Sequence, residues 1–438
     1  MVSLTAMTMP SRALLSCALA VLCGGMPCPA ADQWRIVVEA GPVDRSGLPL
    51  RAAISPSEAS APAAGQTVRV RLPDGSSVDG QVAAPGLLAR RGPSAGGVVA
   101  REIVFVLPRL AAGTKVEVLA ETGGIVTPEA SRDPASPRLR WVEEGNAVEL
   151  LLAGKPVVRY EMPAYDATSE ETRVRTYKPF HHVYDPLTGI RLTKGDGGVF
   201  THHRGLFFGY NTISHGDGMK VRSDDWHCHG KARQEHREVV QQVAGAVEGR
   251  QRVRIDWIGS DESTVLEETR ELEVVPVPGG TVIDFASRLE SAGPVRLEGD
   301  PQHAGVHFRA SNEVAESTKG HTYYLRPGTK GVPGDYRNWP EDKTYVNAAW
   351  HAASFVVGGQ RYTVLRANRP ANPGEARMSE RDYARFGSYF EYDLRRDKPL
   401  DVGYRWWIQP GELTLDEAAR IAADYAQPAA VTVKPAGG

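Results

Sequence analysis

Apolar and polar positions alternate with a period of two in short runs along most of the chain. Val68, Val70 and Leu72 alternate with Arg69 and Arg71, which is the pattern of a strand with one face buried. Pro73-Asp74-Gly75 follows as a turn. Short β-type runs also occur at residues 34–39, 102–107 and 115–119 early in the chain, and at 147–152, 252–257, 281–285 and 402–408 later. With 45 Gly and 31 Pro punctuating these runs, the chain reads as all-β. A large antiparallel β-sandwich of the supersandwich kind, preceded by a small β-sandwich domain, accommodates the strands. A 3.6-residue period occurs near the end. Thr414-Leu415-Asp416-Glu417 is a capping box with Thr414 as N-cap, and Pro428 stops the helix it opens. Leu415, Ala418, Ala419, Ala422 and Tyr425 fall on one face of that helix and predict a packing role.

Residues 127–137 have linker composition, rich in Pro, Ser and Ala. They divide an accessory domain (31–126) from a main domain (138–428), with a disordered tail at 429–438. Residues 1–30 read as an export signal: Arg12, an apolar run at 13–22, then Cys28-Pro29-Ala30-Ala31. The run is too short to span a bilayer, so cleavage near Ala30 or Ala31 and a periplasmic or secreted protein are expected. Lipidation at Cys17 is the rival reading. Cys17, Cys23 and Cys28 all lie in the signal, which leaves Cys228 alone and without an intrachain partner. Net charge is −2, and no basic run interleaves with aromatics, so nucleic acid is not an expected partner. No later segment is apolar enough to span a membrane.

Histidine changes the picture. Ten of the 12 lie between His181 and His307. Imidazole titrates near neutrality and is the commonest metal ligand, so this density points to proton transfer, metal binding or recognition of a polar ligand. On a strand at 302–310, His303, His307 and Arg309 share one face with Gly305 between them, while Ala304, Val306 and Phe308 face the core. His303 and His307 are then about 13 Å apart, too far to share one metal. His227-Cys228-His229 as a strand places two rings about 7 Å apart on one face, close enough for a divalent metal if other ligands join, with His202, His203, His236 and Glu235 as the candidate partners. In His202-His203-Arg204 only one histidine of the pair can share a face with Arg204.

These residues supply the expected site. His203, His303 and His307 are candidate acid–base groups, with Glu238 as the carboxylate partner. Arg204 and Arg309 are candidates for holding hydroxyl or carboxylate groups. Trp226, Asn338 and Trp339 are candidates for binding a pyranose, the last two in a Gly/Pro-rich loop. His227 and His229 are the expected metal ligands. Neither a nucleophile elbow, a P-loop nor a dinucleotide fingerprint occurs. The expectation is an enzyme acting on a sugar or glycoside as a hydrolase, lyase or epimerase. A non-catalytic glycan-binding protein and a metal-binding protein are the alternatives.

The order of several motifs is also familiar: the run from Gly197-Gly198-Val199-Phe200-Thr201-His202-His203-Arg204-Gly205 to Gly209, then Trp226-His227-Cys228, then Gly299-Asp300-Pro301-Gln302-His303-Ala304-Gly305-Val306-His307, then Asn368-Arg369-Pro370-Ala371-Asn372-Pro373, and Arg385-Phe386-Gly387-Ser388-Tyr389-Phe390. Over roughly residues 138–428 the chain resembles a bacterial family of exported proteins labelled PmoA-like. A methane monooxygenase subunit is an integral membrane protein, so the chain is not expected to be one. The resemblance implies a β-sandwich protein of bacteria that dismantle complex carbohydrates, related to sugar-binding supersandwich enzymes such as the aldose epimerases.

Overall fold

A computed structural model describes residues 33–55, 61–89, 100–122, 138–300 and 302–435. The expected signal, the cleavage point, the three N-terminal cysteines and the 127–137 linker lie outside the described residues. The described chain is built of antiparallel sheets, as the alternation predicts, with few helices.

The N-terminal unit is one seven-stranded sheet, ordered Pro49–Ile54, Arg101–Val106, Ser77–Ala83, Thr67–Arg71, Lys115–Thr122, Gln33–Glu39 and Ala430–Pro435. Its two edge strands lie against each other. The sheet therefore curls around its own core of Trp34, Ile36, Val68, Val70, Ile103 and Phe105, where two stacked sheets were expected. The last strand also corrects the expected disordered tail. Residues 430–435 pair with residues 34–39 in antiparallel register, so the chain's end completes the domain that its beginning starts.

The main unit stacks two broad sheets. A front sheet of eight strands runs Arg377–Glu380, Arg385–Tyr389, Ala304–Arg309, Leu206–Tyr210, Phe180–Val183, Lys155–Glu161, Ala147–Leu152 and Leu139–Glu144. A back sheet of nine strands runs from Arg233–Ala244 through Gly249–Ile258, Thr264–Val277, Gly280–Glu290, Leu400–Pro410, Gln360–Asn368, Trp350–Val357 and Tyr323–Arg326 to Thr329–Lys330. Leu206, Phe208, Val306, Phe308 and Phe386 of the front sheet meet Trp257, Phe285, Val364 and Trp406 of the back sheet in the main core. The far side of the back sheet packs Val275, Val282 and Trp407 against Leu48, Ala83 and Val104 of the N-terminal unit and against Ala418, Ile421 and Ala422 of the helix Leu415–Ala426. The capping box is present as predicted. The buried face is rotated to include Ile421 and Asp424, because Asp424 receives Arg45 at 2.6 Å.

Because alternation sends Leu206, Phe208 and Tyr210 inward, it sends Phe207 outward, where it joins Phe180 and Trp226 in a separate small core. Phe207 and Trp226 of that outer patch lie against His203, His303 and His307.

Within the back sheet Glu268 and Arg270 form an ion pair with both side chains fully buried. Glu268 also accepts from Trp257 Nε1 at 2.9 Å and Ser287 Oγ at 2.8 Å. Glu268→Ala strands a buried guanidinium and should cost about 3–5 kcal/mol. Urea denaturation checks this, and a loss under about 1 kcal/mol would contradict the buried-pair account.

Candidate functional site

Three connections around the end of the strand Leu206–Tyr210 assemble the site. Tyr210 O accepts from both Asp225 N (2.9 Å) and Trp226 N (3.1 Å), and Asn211 N donates to His303 O at 3.0 Å. One strand end thus anchors the 224–230 turn and the residue that opens the strand Ala304–Arg309. The approach is close enough to require glycine. A Cβ on Gly209 would sit 2.7 Å from Asp225 O, and one on Gly205, at φ +51°, would sit 2.1 Å from His181 O.

On this frame the ring nitrogens of His202, His227 and His303 come within 4.8 Å of one another. Two of the rings are aimed by carboxylates. Asp224 Oδ2 accepts from His227 Nδ1 at 2.8 Å, while Asp224 Oδ1 accepts from His227 N at 2.8 Å. Asp300 Oδ2 accepts from His303 Nδ1 at 2.9 Å and from Asn211 Nδ2 at 2.6 Å, and Asp300 Oδ1 accepts from Gln302 N at 2.7 Å. Burial pushes the Asp300 carboxyl upward, but the hydrogen bonds from His303 and Gln302 prevail and hold it at about 2. A carboxylate on Nδ1 fixes the tautomer and leaves Nε2 with its lone pair for a ligand, the arrangement that metal-binding histidines adopt. The third ring is different. His202 Nε2 is buried with no hydrogen-bond partner, and burial above all, with Lys178 nearby, holds the imidazole at about 2, so it is neutral. A buried imidazole nitrogen without a donor has an unmet need that a cation would satisfy. His229 is largely exposed, stacks on His227 at 4.9 Å, and lies 3.4 Å from Asp224 Oδ2. Asp224, His227 and His229 thus form a second, overlapping group that could hold an ion.

The remaining sequence candidates fall elsewhere. His203, expected to be the active member of its pair, is the buried one. It lies beneath the site against Trp226 and Phe207, neither ring nitrogen has a partner, and burial drives its pKa well down. The chain turns at 201–202 and is irregular at 203–204, not a strand, so alternation does not choose between the two histidines. His307 is fully buried, with Nε2 donating to Ala304 O at 2.9 Å and Nδ1 3.2 Å from Arg385. Arg204 is buried, donates to the carbonyls of Thr201, Val174 and Arg175, and stacks on Tyr177. Arg309 is buried, stacked on Tyr383, and donates to Ala310 O and Tyr383 O. Trp226 is the fully buried floor of the cluster. Glu238 lies on the outer strand of the back sheet, exposed and paired with Arg254 at 3.0 Å. It is no partner to these histidines, because nothing in the period-two pattern says which sheet a strand joins. Cys228 is buried at φ +58°, and burial raises its thiol to about 12, so it neither ligates nor attacks. The φ of Cys228 also replaces the expected His-x-His strand with a turn.

His202 was among the partners weighed for a metal at His227 and His229; the residues that sequence reasoning missed are Asp224, Asp300 and Lys178, whose ammonium donates to Trp226 O. A signal existed. Asp-x-x-His occurs at Asp224/His227 and again at Asp300/His303, the i to i+3 spacing at which a turn lets a carboxylate reach Nδ1.

Beside the cluster, Gln302 borders a cavity of ≈ 360 Å³ lined by Tyr336, Arg337, Asn338, Glu341 and Asp342. Tyr336 is 45% exposed. Trp339 is not a free platform, because the Arg377 guanidinium covers its ring at 4.4 Å. Asn338 faces this loop with its Oδ1 already accepting from Arg381 at 2.6 Å.

A family model described as a family of unknown function, DUF6807, matches residues 147–423. It overturns the PmoA-like expectation: the family matched carries no such assignment. No curated protein matches the chain. Among solved structures, the fold is similar to a glycosyl hydrolase family 38 protein from Enterococcus faecalis (9% identity, TM-score 0.43, 92% of this chain and 47% of that one). It is similar to an alpha-mannosidase from Enterococcus faecalis V583 (9%, TM-score 0.45, 92% and 46%). A galactose mutarotase related enzyme from Lactobacillus acidophilus aligns at 8% identity and TM-score 0.30, over 63% of this chain and 98% of that one. The chain spans about half the length of the first two. Among the described residues, no helix is long and apolar enough to cross a membrane.

Proposed function

Because the chain belongs to DUF6807, a family of unknown function, its site has to carry the functional reading, and we propose an enzyme acting on a sugar or glycoside, with one divalent metal held by His202, His227 and His303. The observation that carries the reading is the convergence of three imidazole nitrogens within 4.8 Å, two of them aimed by Asp224 and Asp300. A divalent ion at that point supplies Lewis acidity toward a substrate oxygen. The chain's own residues do the rest. Asp224 and Asp300 hold the rings in one tautomer, Trp226 and Phe207 exclude water from beneath, and exposed His229 stands at the rim as a proton carrier. The neighbouring cavity offers the exposed Tyr336 ring beside carboxylates and an amide, the mixture that suits the apolar faces and hydroxyls of a pyranose. The export signal read at residues 1–30 supports a periplasmic or secreted location for this activity, and the mass of exported protein, starting near Ala31 or Asp32, checks it.

The test is metal analysis of protein purified without chelator, followed by a screen of glycosides and oligosaccharides with and without a chelator. The expected result is about one transition metal per chain and turnover that the chelator abolishes. Metal-free protein with full turnover would overturn the metal. Sugar binding without turnover of any substrate would replace the enzyme with a glycan-binding protein.

A further inference from the structure

The sandwich has a second polar opening, on the opposite side of the front sheet from the histidines. His307 faces outward from its strand, whereas Ser388, paired in register with the core residue Val306, faces inward. Ser388 lines a cavity of ≈ 380 Å³ together with Asn347, Asn368, Arg369, Asn372 and Tyr404. The motif from Asn368 to Pro373, singled out in the sequence and not used by the histidine cluster, forms one wall.

Beneath this cavity lies an arginine without a counterion. Arg366 is fully buried, stacks 4.0 Å over Tyr404, and donates from Nη1 to Ser388 Oγ at 2.9 Å. Its Nε and Nη2 have no partner. No described carboxylate forms a salt bridge with it, and burial lowers its pKa. The other buried arginines of the back sheet are treated differently. Arg250 is matched to Glu273, Arg270 to Glu268, Arg326 to Glu380 and Arg405 to Asp284. Arg270 and Arg405 grip their carboxylates through Nε and Nη2, the same edge that Arg366 leaves open. That edge is a fork matched to a planar oxyanion. A water-sized hollow of ≈ 10 Å³ touches Arg366 and shares Asn368, Ala376 and Ser388 with the large cavity, so the guanidinium sits one thin wall from it. The buried Asn368 Oδ1 also lacks a partner, which leaves an acceptor for a hydroxyl.

We propose that this cavity binds a small hydroxylated carboxylate, of the sugar-acid class, whose carboxylate pairs with the open edge of Arg366 and whose hydroxyls meet Asn368 and Tyr404. Entry needs the Asn368 and Ser388 side chains to part by the width of the hollow. The site is independent of the metal reading, because the two lie on opposite faces of one sheet and share none of the residues argued for either.

Thermal-shift titration and calorimetry of the full-length mature protein with sodium D-glucuronate test it, with D-glucose and inorganic phosphate as comparison probes. Glucuronate should raise the melting temperature in a saturable way, and glucose and phosphate should not. Arg366→Gln should weaken glucuronate at least about tenfold. Ala376→Leu, which fills the hollow beside Arg366 while leaving the arginine itself unsubstituted, should do the same and decides the matter if Arg366→Gln does not fold. His303→Ala should leave glucuronate binding intact, which separates a failure here from a failure of the metal site. No glucuronate effect on the wild-type protein, an equal effect of glucose or phosphate, or undiminished binding by Ala376→Leu would overturn the proposal.

Discussion

His303→Ala abolishes turnover, by at least about 10³-fold, and releases the metal, while the melting temperature of the metal-free protein stays within about 2 °C of the parent. His303 is only part-buried, and its ring contacts are with Asp300, His202, His227 and Trp226 at the cluster. Its removal costs a metal ligand and little packing. His307→Ala gives the opposite pattern. That ring is fully buried between Ala304 O and Arg385, so its loss leaves a cavity and removes one partner of a buried guanidinium, at about 2–4 kcal/mol. Kinetics, metal content and urea midpoints of both variants decide the case. A His303→Ala protein that keeps its metal and rate, or a His307→Ala protein of unchanged stability but no activity, would exchange the two roles and restore the assignment that strand alternation alone suggested.

Acid should unfold the protein at unusually mild pH. Burial holds His181, His203 and His307 well below the ordinary 6.5 and His182 at about 3, with neighbouring Arg and Lys charges adding to the effect, and His351 is lowered by the same cause. The sign follows from which state takes up protons. Above pH 6.5 neither state binds them and these groups contribute nothing. Below it the unfolded chain protonates and the folded one does not, so stability falls with pH from 6.5 down towards the folded-state values. Each such histidine steepens the fall by up to about 1.4 kcal/mol per pH unit. Urea midpoints between about pH 8 and about pH 5 should therefore drop steeply below neutrality. A flat profile across that range would mean the rings are solvated or charged in the folded protein.

Period-two alternation, turn residues and the capping box were enough to determine an all-β chain, the strands and the C-terminal helix, because those features act over a few residues. Histidine density marked the stretch of chain that supplies the three clustered rings for the same reason: composition is local. Which ring does what was a different matter. His202 and His203 are adjacent in sequence, yet one joins the cluster and the other is sealed beneath it, since the turn at Gly205 and the close approach of the strand Leu206–Tyr210 to the 225–226 backbone set their directions. His227 and His303 meet although 76 residues separate them, because both depend on the end of that one strand. Glu238 went to a remote sheet edge and the chain's last strand returned to the first domain, and neither outcome leaves a local signature. Pairing between distant segments is set by the burial of whole sheet faces, a property of the folded molecule, and it is this pairing that turned a histidine-rich stretch into three rings around one point.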